Sequence, residues 1–230
     1  MAGLRLSTEL ISELAVERGG DSTVFMSGRY AVDAFDQAGF EEHGIACPES
    51  LSRAVPKRQA EFLAGRVIAH RALRLLGIEA AEIGRGACGE PLWPEGIRGS
   101  ITHSKGFAAV WLTTENWYPG IDAEHMPQAS AIEAIRSGVL TDSERTRPLS
   151  DRDHVAVFSA KEALFKALFP VVGKRFGFGA AESQSSIADN HLRLKLTRDL
   201  ANGLDAGTAF DVSVCWAGPR VTSRVRGPGL

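Results

Sequence analysis

Two carboxylates, Asp122 and Glu124, stand two positions apart in Gly120-Ile121-Asp122-Ala123-Glu124. On an extended chain such residues project from the same face. Their mutual repulsion is costly unless a cation or a proton intervenes. The pair closely follows Phe107 to Leu112, an apolar run too short to cross a membrane and suited to a buried strand. It is therefore a candidate site for a hard, oxygen-ligated metal ion. In Phe158-Ser159-Ala160-Lys161-Glu162-Ala163-Leu164-Phe165-Lys166, Glu162 and Lys166 are one helical turn apart. A third carboxylate from a helix would complete an oxygen-rich Mg2+ site that keeps waters for phosphate. Three plainer readings stand beside this one. Glu162 and Lys166 also fit a surface salt bridge worth ~0.3–0.5 kcal/mol, Ser159 and Glu162 fit a capping box, and Lys161 fits solvated surface.

His103 sits in a turn after a strand, between Thr102 and Ser104-Lys105, a cluster of donors that suits a phosphate or a ribose. Arg58 and Arg66 lie about 40° to either side of Phe62 on a helical wheel. They are open to phosphate contacts or to a snorkelling surface role. Ser104 beside His103 makes a poor hydrolase pair, because adjacent side chains rarely face each other and no G-x-S-x-G elbow occurs. Walker A and Rossmann glycine patterns are absent, as are HxxxH and CxxC zinc spacings.

Several elements must position these groups. Residues 7–18 read as a short amphipathic helix, with Leu10, Ile11 and Leu14 at helical spacing. Residues 22–34 read as extended, and 36–55 as a mixed connection. The clearest helix runs from Pro56 to Ile78, with Pro56 in its first turn and Gly77 stopping it. The Gly- and Pro-rich stretch 84–99 is a loop packed down by Trp93. Strands follow near 99–103, 107–114 and 120–124. Short helices are expected within 127–138 and from Leu140, and a second long helix over 151–169, ended by Pro170. Residues 191–197 and 208–216 alternate as an antiparallel pair, and the tail from Gly218 reads as loose. Each half thus offers one long helix and several strands, an α+β pattern in two lobes.

With 230 residues, 44% apolar and 23% charged, the chain can bury a sizeable core, and its formal net charge of −2 argues against a nucleic-acid partner. Cys47, Cys88 and Cys215 are odd in number and widely spaced, as expected of buried thiols in a reducing compartment. No signal-peptide pattern or transmembrane-length apolar window occurs, so a cytoplasmic protein is expected.

Taken in order, Arg58-Gln-Ala-Glu61-Phe62-Leu-Ala-Gly65-Arg66, Pro91-Leu-Trp93-Pro94-Glu-Gly96, Gly99-Ser-Ile-Thr102-His103-Ser, Gly120-Ile-Asp122-Ala-Glu124, Leu140-Thr-Asp-Ser-Glu144-Arg145 and Phe158-Ser-Ala-Lys161-Glu162-Ala-Leu-Phe-Lys166 form a pattern over residues 55–170. This pattern resembles the phosphopantetheinyl transferases, in the branch of the enterobactin synthase component D type. The first and last 50 residues match only loosely. Two positions depart from the wider family. Gly89-Glu90-Pro91 stands where many relatives outside this branch carry Gly-Lys-Pro, and Phe158 where distant relatives carry Trp.

The resemblance implies an α+β 4′-phosphopantetheinyl transferase fold, with two pseudo-two-fold lobes (residues 1–117 and 118–218, then a loose tail at 219–230) and a coenzyme A cleft between them. It implies transfer of the phosphopantetheine arm of coenzyme A to a serine of an apo acyl or peptidyl carrier protein, releasing adenosine 3′,5′-bisphosphate. Siderophore biosynthesis and other secondary metabolism are the associated pathways, but the sequence leaves the carrier open among siderophore or other peptide synthetases, polyketide synthases and fatty acid synthases. The nucleophile belongs to the partner, so the chain must supply positioning and charge stabilisation. On the residues, Asp122, Glu124 and Glu162 are expected to hold Mg2+ (Mn2+ as an alternative), with Glu162 also taking the serine proton. Lys166, with Lys161, would neutralise the leaving bisphosphate. Thr102 and His103 would hold the 3′-phosphate, and Arg58 and Arg66 further phosphates. The chain is expected to act as a monomer. Two other readings remain open: a non-catalytic binder of coenzyme A or carrier protein, and a Mg2+-dependent phosphohydrolase that needs no carrier.

Overall fold

The structure, a computed structural model, describes residues 10–79, 82–185 and 187–229. The chain divides into two compact units, Met1–Ile97 with Ile101–Leu112, and Arg98–Ser100 with Thr113–Leu230.

The first unit opens with a hairpin of β1 (Ile11–Gly19) and β2 (Thr23–Tyr30), antiparallel with Val16 opposite Met26. This overturns the helix expected over 7–18, whose first three residues lie outside the described ones. Of the apolar positions behind that expectation, Ile11 is buried while Leu14 is exposed. Pairing with the buried β2 thus wins over local propensity. A bulge between Ser12 and Ala15, with Glu13 at φ +49°, bends the strand. Helices α1 (Gly39–Glu42) and α2 (Glu49–Ser52) lead into α3 (Pro56–Leu75), which starts on proline as expected. Leu63, Val67, Ile68 and Leu73 of α3 join Val24, Met26, Val110 and Leu112 in one core. A small antiparallel ladder of β3 (Gly84–Arg85) and β4 (Pro91–Leu92) follows, with Trp93 packed on the core. Then come β5 (Arg98–Ser104) and β6 (Phe107–Thr113), in a sheet of order β1-β2-β6-β5.

The second unit holds β7 (Tyr118–His125), α4 (Ala129–Gly138), α5 (Asp142–Arg145), α6 (Asp151–Val172), β8 (Ala181–Ser183), β9 (His191–Leu196), β10 (Ala209–Ala217) and β11 (Arg220–Gly227). Its sheet has the order β7-β11-β10-β9-β8, antiparallel throughout. The tail expected to be loose is therefore central. Arg220–Gly227 lies between β7 and β10, with Val221 and Val225 buried. Its alternation is short and flanked by Gly and Pro, and one of its two partners lies far back in the sequence. Helix α6 does not stop at Pro170: it runs on to Val172, and Gly173 caps it through an N–H to the Phe169 carbonyl. Its capping box is Ser150 with Asp153, so Ser159 is a buried mid-helix residue and the Ser159–Glu162 cap is overturned.

No described helix is long and apolar enough to cross a membrane. All three cysteines are free, and Cys88 and Cys215 are exposed, against the expectation of buried thiols.

Candidate active site

Helix α6 presses on β7 and β11 at two glycines. A Cβ at Gly120 would meet the Ala163 carbonyl oxygen at 2.1 Å, and one at Gly227 the Ala167 oxygen at 2.7 Å. Only glycine permits so close an approach of strand and helix backbones. Asp122, two residues beyond Gly120, is thereby brought under Lys166, whose ammonium donates to Asp122 Oδ1 at 2.7 Å and to the Ile121 carbonyl at 3.1 Å. Lys166 thus pairs across to β7, whereas the sequence offered Glu162 as its helical neighbour.

Glu162, one turn earlier on α6, is half-buried. Burial pushes its carboxyl above the ordinary glutamate range. Lys166 opposes this shift, and the negative charge of Asp122 adds to it. Asp122, Glu162 and Lys166 therefore form one electrostatic group, and Glu124 lies two residues along β7 from Asp122. Among the described residues, no group of three His, Cys, Asp or Glu side chains is placed to hold a metal ion, so the expected three-carboxylate cage is not preformed. The donor chemistry still suits Mg2+, which is bound through one or two carboxylates plus substrate phosphate oxygens and water. A cation would offset the Asp122–Glu162 repulsion, which adds to the larger effect of burial on Glu162.

Behind this group lies a buried ion pair that sequence reasoning did not find. Lys161 Nζ donates to Glu144 Oε2 at 2.6 Å and to the Val139 carbonyl at 3.0 Å. Glu144 is fully buried and also accepts from the Ser183 N–H at 2.6 Å and the Thr141 N–H at 2.8 Å. Burial alone would raise the Glu144 carboxyl. The Lys161 ammonium, with these hydrogen bonds, holds it below the usual carboxylate range. Lys161 is thus not solvated surface: its side chain is buried, with the ammonium held by Glu144 and the Val139 carbonyl, whereas Lys166 is partly exposed. The visible signal was the Thr141-x-x-Glu144 capping box, which the structure contains. Beside Glu162 opens a pocket of about 300 Å³, lined in part by Lys161, Phe165, Arg175, Phe176 and Phe178. Its aromatic wall is tied by the 5.0 Å contact of Phe165 with Phe176 and the 5.7 Å contact of Phe158 with Phe178.

The first unit gathers a second polar group. Arg58 Nη1 lies 2.9 Å from His103 Nε2 and 3.2 Å from Glu61 Oε2. A guanidinium only donates, so His103 Nε2 accepts, and the ring proton sits on Nδ1, 3.7 Å from Glu61 Oε2. Thr102, next to His103 on β5, is buried. Glu61 lies within the Arg58–Arg66 motif, and its i,i+3 spacing from Arg58 is the sequence signal for this pair. Arg58 is exposed, as a snorkelling arginine would be, but Arg66 is only 6% exposed, and its Cζ lies 4.8 Å from the Phe62 ring centre.

A helix braced on a sheet through glycine contacts, with a carboxylate–lysine–carboxylate group at the brace, is the arrangement to set beside known proteins. A family model for the 4′-phosphopantetheinyl transferase N-terminal domain matches residues 47–113, and the 4′-phosphopantetheinyl transferase superfamily model matches residues 118–203. The chain belongs to the 4′-phosphopantetheinyl transferase superfamily. Among its relatives, 4′-phosphopantetheinyl transferase Svp of Streptomyces mobaraensis is 38% identical over 162 residues, 65% of each chain. 4′-Phosphopantetheinyl transferase PptT of Mycobacterium tuberculosis is 36% identical over 168 residues, 68% of this chain and 71% of the relative. Enterobactin synthase component D of Salmonella typhi is 33% identical over 180 residues, 75% of each. The matched region spans just under two thirds of Svp's length. The mixed α+β architecture accords with this family.

Proposed function

We propose that this protein transfers the 4′-phosphopantetheine arm of coenzyme A to a serine of an apo acyl or peptidyl carrier protein. The observation that carries this reading is the Asp122–Lys166 pair beside a half-buried Glu162. This group lies inside the matched superfamily region. The serine hydroxyl attacks the phosphorus that bears the pantetheine arm. The new O–P bond forms as the bridging P–O bond of the diphosphate breaks, and adenosine 3′,5′-bisphosphate leaves. Glu162, held above the usual glutamate range, takes the hydroxyl proton. Lys166 uses two of its three N–H donors on Asp122 and the Ile121 carbonyl, which leaves one for a phosphate oxygen. Asp122 and Glu162, with Glu124 beside them, would hold Mg2+ (or Mn2+), which supplies charge neutralisation at the diphosphate. His103 and Arg58, with Thr102 beside them, would bind the 3′-phosphate, and Arg66 a further phosphate. Arg58, donating to Nε2, leaves the His103 ring proton on Nδ1, toward Glu61. The proposed acting form is a monomer in the cytoplasm, where coenzyme A is held.

The test is release of adenosine 3′,5′-bisphosphate from coenzyme A, followed chromatographically with and without an apo carrier. Release only with carrier is expected. Equal release without it would replace this reading by a phosphohydrolase.

A further inference from the structure

Glu61, on the second turn of α3, stands between the two partners of the polar group at the end of β5. Its Oε2 lies 3.2 Å from Arg58 Nη1 and 3.7 Å from His103 Nδ1, and its side chain is only 12% exposed. Arg58 Nη1 also donates to His103 Nε2 at 2.9 Å. The hydrogens of Nη1 are thus spent on one acceptor each. His103 is thereby a neutral ring, its Nε2 lone pair facing the guanidinium and its proton on Nδ1 toward the carboxylate. The neighbouring elements bring a phenol and an ammonium. Tyr30 of β2 is buried, and its N–H donates to the Gly106 carbonyl of the β5–β6 turn at 2.9 Å. Burial raises its phenol against a hydrogen bond from the Gly106 backbone; Glu61 then adds to the rise and Arg58 opposes it, so Tyr30 stays neutral. Lys105 follows His103 in the same turn and is exposed.

A phosphate oxygen only accepts, and Nε2 in this arrangement also only accepts, so the ring cannot meet a phosphate as it stands. Two forms of His103 carry a proton on Nε2. The neutral tautomer with its proton moved from Nδ1 would turn a bare Nδ1 lone pair toward the Glu61 carboxylate. The imidazolium keeps Nδ1–H toward Glu61, gains Nε2–H for the phosphate, and has an anion on each side. Glu61 thus disfavours the first form and favours the second. Either way, Arg58 gives up Nε2 and is free to turn that N–H to the phosphate.

We propose that Glu61 is a positioning residue that couples coenzyme A binding to proton uptake, with His103 taking the proton at Nε2 as the 3′-phosphate replaces Arg58 there. The inference rests on the transferase reading for its ligand and adds a proton from solvent to the binding step.

Isothermal titration of coenzyme A and of 3′-dephospho-coenzyme A into the purified full chain, in buffers of different ionisation enthalpy, counts the protons bound. At about pH 7.5 an ordinary histidine (pKa about 6.5) and a phosphate monoester (second pKa about 6) are both mostly deprotonated beforehand. Coenzyme A should take up about one proton and the dephospho ligand almost none. Affinity for coenzyme A should fall by up to about tenfold per pH unit above neutrality, the slope of a one-proton linkage. In Glu61→Gln the side-chain amide can donate to Nδ1, so the neutral Nε2–H tautomer serves. Binding should persist there, with the proton count near zero and the pH slope flattened. A merely structural role for Glu61 would weaken binding and leave the proton count unchanged. No uptake with coenzyme A, equal uptake with both ligands, or unchanged uptake in Glu61→Gln overturns the inference. Should the variant fail to fold, the two ligands on the wild type carry the test. Carrier modification without proton uptake would sink this coupling alone. Uptake that needs the 3′-phosphate, with no carrier modified, would sink the transferase reading and leave the coupling standing.

Discussion

Gly120→Ala is the sharpest perturbation of the candidate active site, because it touches no charged group. The added Cβ would lie 2.1 Å from the Ala163 oxygen and 2.7 Å from the Ala167 Cβ. A relaxed carbon–oxygen contact is about 3.3 Å, so β7 and α6 must separate locally by about 1 Å. The Asp122–Lys166 hydrogen bond, 2.7 Å now, spans that same gap and would open beyond hydrogen-bonding range. Overpacking of this kind costs about 1–3 kcal/mol, and each kcal/mol lowers Tm by roughly 2–8 °C for units of this size. A displacement of about 1 Å in a catalytic group can cost on the order of 100-fold in rate. Thermal unfolding and carrier modification, measured on the same preparation, check both consequences. A variant with wild-type Tm and wild-type rate would refute the claim that the glycine contact sets the site's geometry.

Further predictions concern the two ion pairs. Lys166→Met leaves Asp122, 5% exposed, without its cation, and should cost about 3 kcal/mol in urea unfolding as well as abolishing transfer. The Glu144 carboxyl has a folded pKa below its unfolded one. The stability it contributes is thus present above the unfolded value, about 4.3, and is lost as pH falls through the folded value. The urea midpoints of wild type and Glu144→Gln should therefore differ most near neutral pH and converge below about pH 4. A gap that widens on acidification would contradict the assignment. His103→Ala should raise the KM for coenzyme A more than it lowers kcat, if the ring acts in binding; steady-state kinetics separates the two.

Much of the site was legible because its chemistry is local. Asp122 and Glu124 share a face of β7 by the two-residue period alone, and Glu162 and Lys166 share a helix by the four-residue one. What was hidden depends on distant partners. The preference of Lys166 for Asp122 over its helical neighbour, and the turning of Lys161 inward to Glu144, are set by how closely α6 meets β7 and by where α5 and β8 arrive. The strand character of Ile11–Gly19 and Arg220–Gly227 was hidden for the same reason. Both are defined by the neighbours they pair with, and their own residues read more readily as helix and as loose tail. Composition could not show that Arg66 is buried, since a wheel places it only at the margin of the apolar face.

The central claim is tested most directly by the intact mass of an apo carrier protein after incubation with this protein, coenzyme A and Mg2+. A gain of one phosphopantetheine is predicted, lost in EDTA, restored by added Mg2+, and lost in Asp122→Ala. An unchanged carrier mass across acyl and peptidyl carriers, with coenzyme A still bound, would contradict the account.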